Sequence, residues 1–332
     1  MDHLETESIA SRLEFSEPLS RRRFLSRLAL GAAATTILPG WLQGAAEKAA
    51  EKPAEKPAEK PAEKAGGKPW PLRLSTSTVQ FSSLSVEEAC GRIARLGFEA
   101  IDFWHGDFQC PHLDEIEKRL GPAGLKDLLA KNKLKLYTIS CYNVGYGRYA
   151  DLLGKAGGGV AVRESRYGKV TDLKTEMKAF IESLKPDLEL AEKNDSWIAV
   201  ENHGDALLST LDSFKAFIDL NAHPRLGIAL APYHLQAGKI PVEEVIGIVG
   251  RQLLFFYAWQ LGEGLKQIPG IGPADFTPWL AALAKANYRW YVNPFMHGHP
   301  EPETMEKSLA KSMEYLKACH AKAMAPGIPA KS

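Results

Sequence analysis

The sequence lacks the features that binding to nucleic acids or crossing a membrane requires. Its 41 basic and 40 acidic residues give a net charge of +1, so we expect no basic face that could bind a phosphate backbone. No apolar run reaches the ~18–20 residues that a spanning helix needs, which predicts no membrane span in the mature protein. No Gly-x-Gly-x-x-Gly follows the first apolar segment, and a dinucleotide-binding fold therefore has little support.

Cysteine is also scarce. The four cysteines stand at positions 90, 110, 141 and 319, and their spacing matches no Cys-x-x-Cys zinc motif. Two interpretations stay open, four free and mostly buried thiols or one disulfide formed in an oxidising compartment. We favour free thiols.

The N-terminal segment, residues 1–46, resembles a twin-arginine signal peptide. Ser20-Arg21-Arg22-Arg23-Phe24-Leu25 precedes a short apolar stretch, and small residues follow at 44–46. A charged region followed by a short apolar region is typical of exported proteins, and paired arginines indicate the twin-arginine route. The alternative is a basic amphipathic N-terminus that arose by chance. The resemblance implies export to the bacterial periplasm or cell envelope, with the twin-arginine machinery as a partner.

Residues 47–69 repeat the tetrapeptide Ala-Glu-Lys-Pro. Proline at every fourth position prevents a continuous helix, and no side chain is large enough to build a core. We predict an extended, solvated linker here. A single folded domain is expected over residues 70–322, and a flexible tail over 323–332.

From residue 70 onward, short apolar segments alternate with amphipathic ones. Eight strand candidates follow one another, at Leu72–Val79, Phe98–Trp104, Leu134–Ser140, Val160–Glu164, Trp197–Glu201, Leu226–Ala231, Leu253–Trp259 and Tyr288–Asn293. Helices are predicted between them, the first opening on a Ser85–Glu88 capping box and a later one covering 171–194. Eight such units predict closure of a parallel sheet into a (β/α)8 TIM barrel, with a doubly wound open sheet as the competing architecture.

In a barrel of this kind the functional site lies at the carboxyl ends of the strands. Five of the nine histidines follow predicted strand ends, at positions 105, 203, 234, 297 and 299. Histidines gathered at one mouth favour metal ligation or proton transfer. Each of them could equally be a hydrogen-bonded structural residue.

Three segments of the predicted barrel resemble motifs of a known family. Trp197-Ile-Ala-Val-Glu201-Asn-His203 resembles the fifth-strand motif of the xylose isomerase-like sugar isomerase/epimerase superfamily, Gly227-Ile-Ala-Leu-Ala231-Pro-Tyr-His234 its sixth, and Gly97-Phe-Glu-Ala-Ile-Asp102 its second. The resemblance covers roughly residues 72–320. It implies the barrel fold, but it says little about the activity because the superfamily hosts several chemistries.

The resemblance also implies a divalent metal held by acidic residues and histidine at four strands. Glu201 matches the first ligand and His234 keeps its place, whereas Ala231, Gln260 and Asn293 stand where other ligands are expected. Magnesium and manganese need several charged oxygen ligands. A set of Glu201, His203 and His234 would suit zinc better. One divalent metal (Zn, Mn or Mg) and no metal at all are equally open.

Two hypotheses of function follow, and both take a small carbohydrate or polyol as ligand. In the first, the chain is a divergent isomerase, epimerase or lyase in which Glu201 and His234 are catalytic. The side chains expected to contact the sugar are Trp104, His105, Tyr142, His203, Gln260 and Asn293, joined by Trp259. In the second, the barrel has lost its metal site and only binds a saccharide. DNA repair of the endonuclease type is rejected because its many acidic and histidine ligands are missing.

Overall fold

The computed structural model describes residues 70–325. The predicted signal segment (1–46), the predicted linker (47–69) and most of the predicted tail (323–332) lie outside the described residues. Within them, eight parallel strands form one sheet in sequential order, with helices between the strands. A parallel bridge between Leu74 and Val292 joins the last strand to the first. The predicted (β/α)8 TIM barrel is confirmed.

The strands are short, as is usual around a barrel. They are β1 (Ser75–Ser77), β2 (Ala100–Trp104), β3 (Lys135–Ser140), β4 (Gly159–Glu164), β5 (Ser196–Glu201), β6 (Leu226–Leu230), β7 (Leu253–Ala258) and β8 (Val292–Pro294). Each of the eight falls on a predicted strand. Strand β1 is shorter than predicted, and β8 is shorter and begins later than predicted. The apolar residues beside both strands pack without joining the hydrogen-bonded ladder. Tyr288, for example, uses its hydroxyl to donate to the carbonyl of Tyr291.

Eleven α-helices lie between and after the strands over residues 70–325. They are α1 (Val86–Leu96), α2 (His112–Glu115), α3 (Gly121–Asn132), α4 (Tyr146–Ala156), α5 (Leu173–Ser183), α6 (Lys185–Lys193), α7 (Leu211–Leu220), α8 (Pro232–Ala237), α9 (Val242–Val249), α10 (Thr277–Lys285) and α11 (Pro302–Ala323). The Ser85–Glu88 capping box opens α1 as predicted. The single helix predicted over 171–194 is wrong, since Pro186 cannot continue α5 and the chain restarts as α6.

Alternation along the strands separates two apolar layers. Ile198 and Val200 of β5 face the helices, whereas Trp197 and Ala199 face the barrel interior. The interior is filled largely by aromatic side chains, at positions 104, 137, 142, 255, 257, 259, 291 and 295. Glu201 continues the inward-facing row of β5, so the fold itself brings this carboxyl group to the mouth.

All four cysteines are buried and free, which confirms the free-thiol interpretation. Burial raises the pKa of Cys90, Cys110 and Cys141 to about 12, so these thiols stay protonated. None of the helices within residues 70–325 combines the length and the apolar character that a membrane crossing requires.

Candidate functional site

Glu201 is the buried carboxyl group at the end of β5. Only 8% of it is exposed. Burial raises the pKa of Glu201 to about 8, and the neighbouring Glu164 and Asp102 carboxylates reinforce the shift, while a hydrogen bond from Tyr142 opposes it. A carboxyl group with a pKa near neutrality can both give and take a proton under ordinary conditions.

Two tyrosines flank Glu201 inside the barrel. The hydroxyl groups of Tyr142 and Tyr257 lie 2.8 Å apart, and both residues are buried. Tyr142 has a φ of 22°, a region that non-glycine residues seldom occupy and that recurs at functional sites. Burial and the Glu201 carboxylate raise the pKa of both phenols. Tyr142 is therefore a close neighbour of Glu201, and its ring packs against those of Trp104 and Phe108.

A pair of histidines follows strands β5 and β6. The rings of His203 and His234 pack with their centroids 3.9 Å apart. His203 Nδ1 donates to the carbonyl oxygen of Gly204 at 2.7 Å. The other ring nitrogen, Nε2, takes no part in this hydrogen bond. Burial lowers the pKa of His234 to about 3 and that of His297 to about 4, and neighbouring imidazoles add to both shifts. His234 and His297 are therefore neutral at physiological pH.

A cleft of about 330 Å³ opens at this part of the mouth. Its lining comes from the loops after β5 and β6, at positions 202–205, 209, 234, 235, 237 and 238. The volume lies at the lower end of the ~300–1,000 Å³ usual for small-molecule sites. The cleft begins at Asn202, the residue after Glu201, and it holds both predicted histidines.

Tyr167 stands beside the cleft on the loop after β4. Its ring lies 5.2 Å from that of His203. Partial burial, with a smaller effect of the Glu201 and Glu164 carboxylates, raises the pKa of its phenol to about 12. An antiparallel bridge to Ala206 fixes the loop in place. Tyr167 is nevertheless 52% exposed, and it links the glutamates to the histidine pair.

Two other predicted side chains belong to a separate buried network around Asp102. The Trp104 indole donates to Asp102 and its ring stacks on Phe295 at 5.4 Å. Asn293 donates to Ser75 Oγ at 3.1 Å and accepts from Ser77 Oγ at 3.2 Å. Both side chains are fully engaged in holding the barrel together.

Three further predicted residues, Gln260, Trp259 and His105, are buried. Gln260 Nε2 donates to the Ile268 carbonyl and its Oε1 accepts from the Ala274 amide, which secures the loop after β7. Trp259 is buried, and its indole donates to Gln267. His105 is buried as well, and its Nε2 has no hydrogen-bond partner among the described residues.

The donors of a family-type metal site are not assembled. Ala231 has no ligand atom, and the amides of Gln260 and Asn293 are already hydrogen-bonded at both ends. Within residues 70–325, no three His, Cys, Asp or Glu side chains are grouped so that they could hold a metal ion. The predicted set of Glu201, His203 and His234 is therefore not brought together as ligands, and the residues present do not fit the divalent metal that the resemblance implies.

Glu164 and Tyr167 belong to the site but were not among the predicted side chains, and His297 was predicted only as one of five histidines that follow strand ends. Glu164 ends β4 in register with Glu201, and its position as the last strand residue was the available signal. Tyr167 follows on the next loop without any sequence signal. His297 lies with its ring 4.9 Å from that of Trp259, and only its place after β8 marked it.

Comparisons with known proteins agree with this architecture. A family model described as the xylose isomerase-like TIM barrel matches residues 90–319. No curated protein sequence matches the chain. Among solved structures, the 3-keto-D-glucoside 4-epimerase of E. coli is 16% identical, with a TM-score of 0.58 over 74% of this chain and 100% of its own.

Two further structures are similar to the same degree. The IolI protein, solved with a zinc atom, is 15% identical, with a TM-score of 0.62 over 76% of this chain and 100% of its own. An L-ribulose 3-epimerase is 16% identical, with a TM-score of 0.60 over 78% of this chain and 100% of its own. Identities at this level show a shared fold.

Proposed function

Because the chain belongs to the xylose isomerase-like TIM barrel family, we propose that it is a sugar-modifying enzyme. Its substrate is a small carbohydrate or polyol, and its reaction is an isomerisation, an epimerisation or an elimination. Similar structures include a 3-keto-D-glucoside epimerase and an L-ribulose epimerase, which supports a sugar as the ligand. Family and fold alone do not determine the reaction, so the reaction has to be inferred from the residues of the site.

The buried Glu201 carboxyl group is the observation that carries the proposal. An unpaired carboxylate costs free energy when it is taken out of water, and here that cost raises its pKa to about 8. Proton transfer to or from a carbon next to a carbonyl needs a group poised in this range. Glu201 is therefore the proton-transfer group, and Tyr142 orients it.

The cleft lined by the residues that follow Glu201 suits a polyhydroxylated ligand. A neutral imidazole both donates and accepts hydrogen bonds, so His234 can bind sugar hydroxyls, and His203 lines the same cleft. Tyr167, which is exposed, can cover one face of the ring. No step is assigned to a metal, because the donors that the family would use are absent or engaged.

The test is a turnover screen of the full-length protein against aldoses, ketoses, keto-glycosides and polyols, with products identified by NMR. Glu201→Gln is compared with Glu189→Gln, which changes an exposed glutamate on α6. We expect one sugar class to be converted by the native protein and by Glu189→Gln. In Glu201→Gln the rate should fall about 100-fold or more. Equal rates in all three proteins would contradict the role of Glu201.

A saccharide-binding barrel without catalysis is the second candidate. The engagement of Gln260 and Asn293 in structural hydrogen bonds favours it, because these two amides are already bonded within the protein. Calorimetry with the same panel separates the two candidates. Binding that is equally tight in Glu201→Gln, with no product from any sugar, would establish the binding function instead.

We also propose that the protein is exported to the cell envelope by the twin-arginine route, with residues 1–46 as signal and 47–69 as linker. The motif from Ser20 to Leu25 supports this. Fractionation of a bacterium expressing the full chain tests it. Replacing both Arg21 and Arg22 by lysine should retain the protein in the cytoplasm, and export that persists would contradict the proposal.

A further inference from the structure

A second cavity, of about 400 Å³, lies at the end of the barrel opposite to the cleft. Its lining comes from the amino ends of the strands and from the residues just before them. Arg73 lies just before β1 and Trp290 just before β8, while Lys135 opens β3 and Trp197 is the second residue of β5. The amino ends of all eight parallel strands meet at one end of a barrel, so this cavity is separate from the cleft that follows Glu201.

The floor of this cavity is aromatic. Tyr137 and Tyr291 are buried, and the Tyr137 ring stacks on that of Trp290 with 5.8 Å between the centroids. Trp290 in turn meets Trp197 edge to face at 5.3 Å. Both tryptophans are only half-buried, so part of each ring borders the cavity. A ligand that enters the cavity therefore contacts a packed aromatic surface.

Two guanidinium groups are held over this floor. Arg73 lies 4.0 Å from the centroid of the Tyr291 ring, and Arg289 lies 5.0 Å from that of Trp290. Arg73 also donates to the Arg289 carbonyl at 3.1 Å and to the Tyr291 hydroxyl. A guanidinium that rests on an aromatic ring is oriented before a ligand arrives, and its N–H groups fit the oxygens of a carboxylate or a phosphate.

Two acidic residues lie close to the cavity, and both are paired with arginine. Asp195, which belongs to the lining, has its carboxylate 2.8 Å from the guanidinium of Arg225. Glu99 lies 3.8 Å from Arg73, and both of these side chains are partly exposed. These carboxylates therefore do not neutralise the other cations of the cavity.

Lys135 and Arg289 are the cations that remain. Both side chains are exposed, and neither forms an ion pair with a carboxylate among residues 70–325. Cations are favoured in the last turn of a helix because they stabilise the helix dipole. Lys135 belongs to β3, however, and Arg289 stands beyond the end of α10. The helix dipole does not account for either residue, and the cavity carries a net positive charge.

Consecutive glycines at 157–159 form the wall between α4 and β4. A Cβ atom at Gly158, whose φ is 80°, would lie 2.4 Å from the Asp195 carbonyl oxygen. A Cβ atom at Gly157 would meet no atom within 4 Å. Because glycine has no side chain, the wall consists of backbone alone, and it leaves the cavity open in front of the two tryptophans.

We propose that this cavity is a second ligand site, which binds the oxyanion of a small molecule that also carries a ring. The oxyanion is a phosphate ester or a carboxylate, and it contacts Arg73, Lys135 and Arg289. The ring lies against Trp197 and Trp290. Hydrogen bonds between a guanidinium and an oxyanion are about twice as strong as neutral ones, and the aromatic floor excludes water from one side of them. The site lies at the other end of the strands from the cleft, so it does not depend on the sugar-modifying function proposed above.

The experiment is a calorimetric titration of the full-length protein at low ionic strength with phenyl phosphate, benzoate and benzyl alcohol. These probes carry the same ring with a phosphate, a carboxylate or a neutral group. The native protein is compared with the double variant Lys135→Gln/Arg289→Gln. The matched control is Lys131→Gln/Lys285→Gln, which removes two exposed cations from the same end of the barrel but outside the cavity lining. Thermal unfolding reports whether each variant is folded.

We expect the native protein and the control to bind at least one of the two anions, and the anion that binds more tightly identifies the group as phosphate or carboxylate. The Kd of that anion should rise about 10-fold or more in Lys135→Gln/Arg289→Gln, because two charged hydrogen-bond donors are lost. Benzyl alcohol should bind at least 10-fold more weakly than the anion.

Three results would overturn this inference. They are no binding of either anion to the native protein, equal affinity in the cavity variant and the control, and binding of benzyl alcohol as tight as that of the anions. Sugar turnover should stay within a factor of two of the native rate in Lys135→Gln/Arg289→Gln. A failure of the anion site is therefore distinguishable from a failure of the proposed function.

Discussion

The side chain of Asn202 holds the backbone of Ala231 at both of its polar groups. Asn202 Nδ2 donates to the Ala231 carbonyl at 3.2 Å, and the Ala231 amide donates to Asn202 Oδ1 at 2.7 Å. The bond joins the ends of β5 and β6, between which the cleft opens. The two hydrogen bonds therefore hold together the chain segments that carry Glu201 and His234.

Replacing Asn202 by alanine should lower the free energy of unfolding by about 2 kcal/mol, because two buried backbone groups lose their partner. Urea denaturation measures the change. Asn143→Ala is the matched control, since Asn143 is exposed and bonds only to the Asp107 side chain. The control should cost less than about 0.5 kcal/mol. Equal losses in the two variants would show that the two Asn202 hydrogen bonds stabilise the fold no more than the exposed Asn143 side chain does.

The raised pKa of Glu201 predicts a pH dependence of stability. The folded state binds the proton more tightly than the unfolded state, whose pKa is near the ordinary 4.5, while burial raises the folded value to about 8. Stability should therefore fall as pH rises from about 4.5 to 8 and then level off. Glu201→Gln should lack this decline, with a difference of up to a few kcal/mol. Parallel stability curves for the two proteins would contradict the burial of an ionisable Glu201.

Tyr167 is the exposed aromatic residue next to the cleft, and it should bind the sugar. Tyr167→Ala should raise KM about 5–10-fold with kcat within a factor of two, because stacking contributes about 1 kcal/mol. Tyr167→Phe keeps the ring and serves as the control, with KM close to that of the native protein. If the alanine variant kept its KM, the sugar would not lie against Tyr167.

Removal of divalent metals should leave turnover unchanged. The reason is the donor set, since Ala231 offers no ligand and the Gln260 and Asn293 amides are engaged. Dialysis against EDTA followed by a rate measurement and elemental analysis tests this. Activity that is lost on dialysis and restored by zinc, manganese or magnesium would mean that Glu201 and the histidines do assemble a metal site.

The sequence predicted the barrel well because the alternation of apolar segments encodes it directly. It also placed Glu201, His203 and His234 at the mouth. It could not predict that Trp104 and Asn293 are occupied, because their partners depend on side-chain packing. Asn293, for example, bonds to Ser75 and Ser77, which stand near the other end of the domain's sequence.

The same limit explains why Glu164 was overlooked. Its importance depends on the register between β4 and β5, which pairs it with Glu201, and register cannot be obtained from the two strands separately. Tyr167 could be recognised as a candidate only from the exposure of its side chain in the structure. Trp104 and Trp259, which were predicted to stack on the sugar because they stand at strand ends, are buried.

The central claim is that Glu201 moves a proton to or from a sugar carbon. It is tested most directly by incubating the converted sugar with enzyme in D₂O and measuring deuterium at carbon by NMR and mass spectrometry. The account predicts deuterium next to the carbonyl carbon with the native protein and its loss in Glu201→Gln. Conversion of the sugar by the native protein with every carbon-bound hydrogen retained would contradict it.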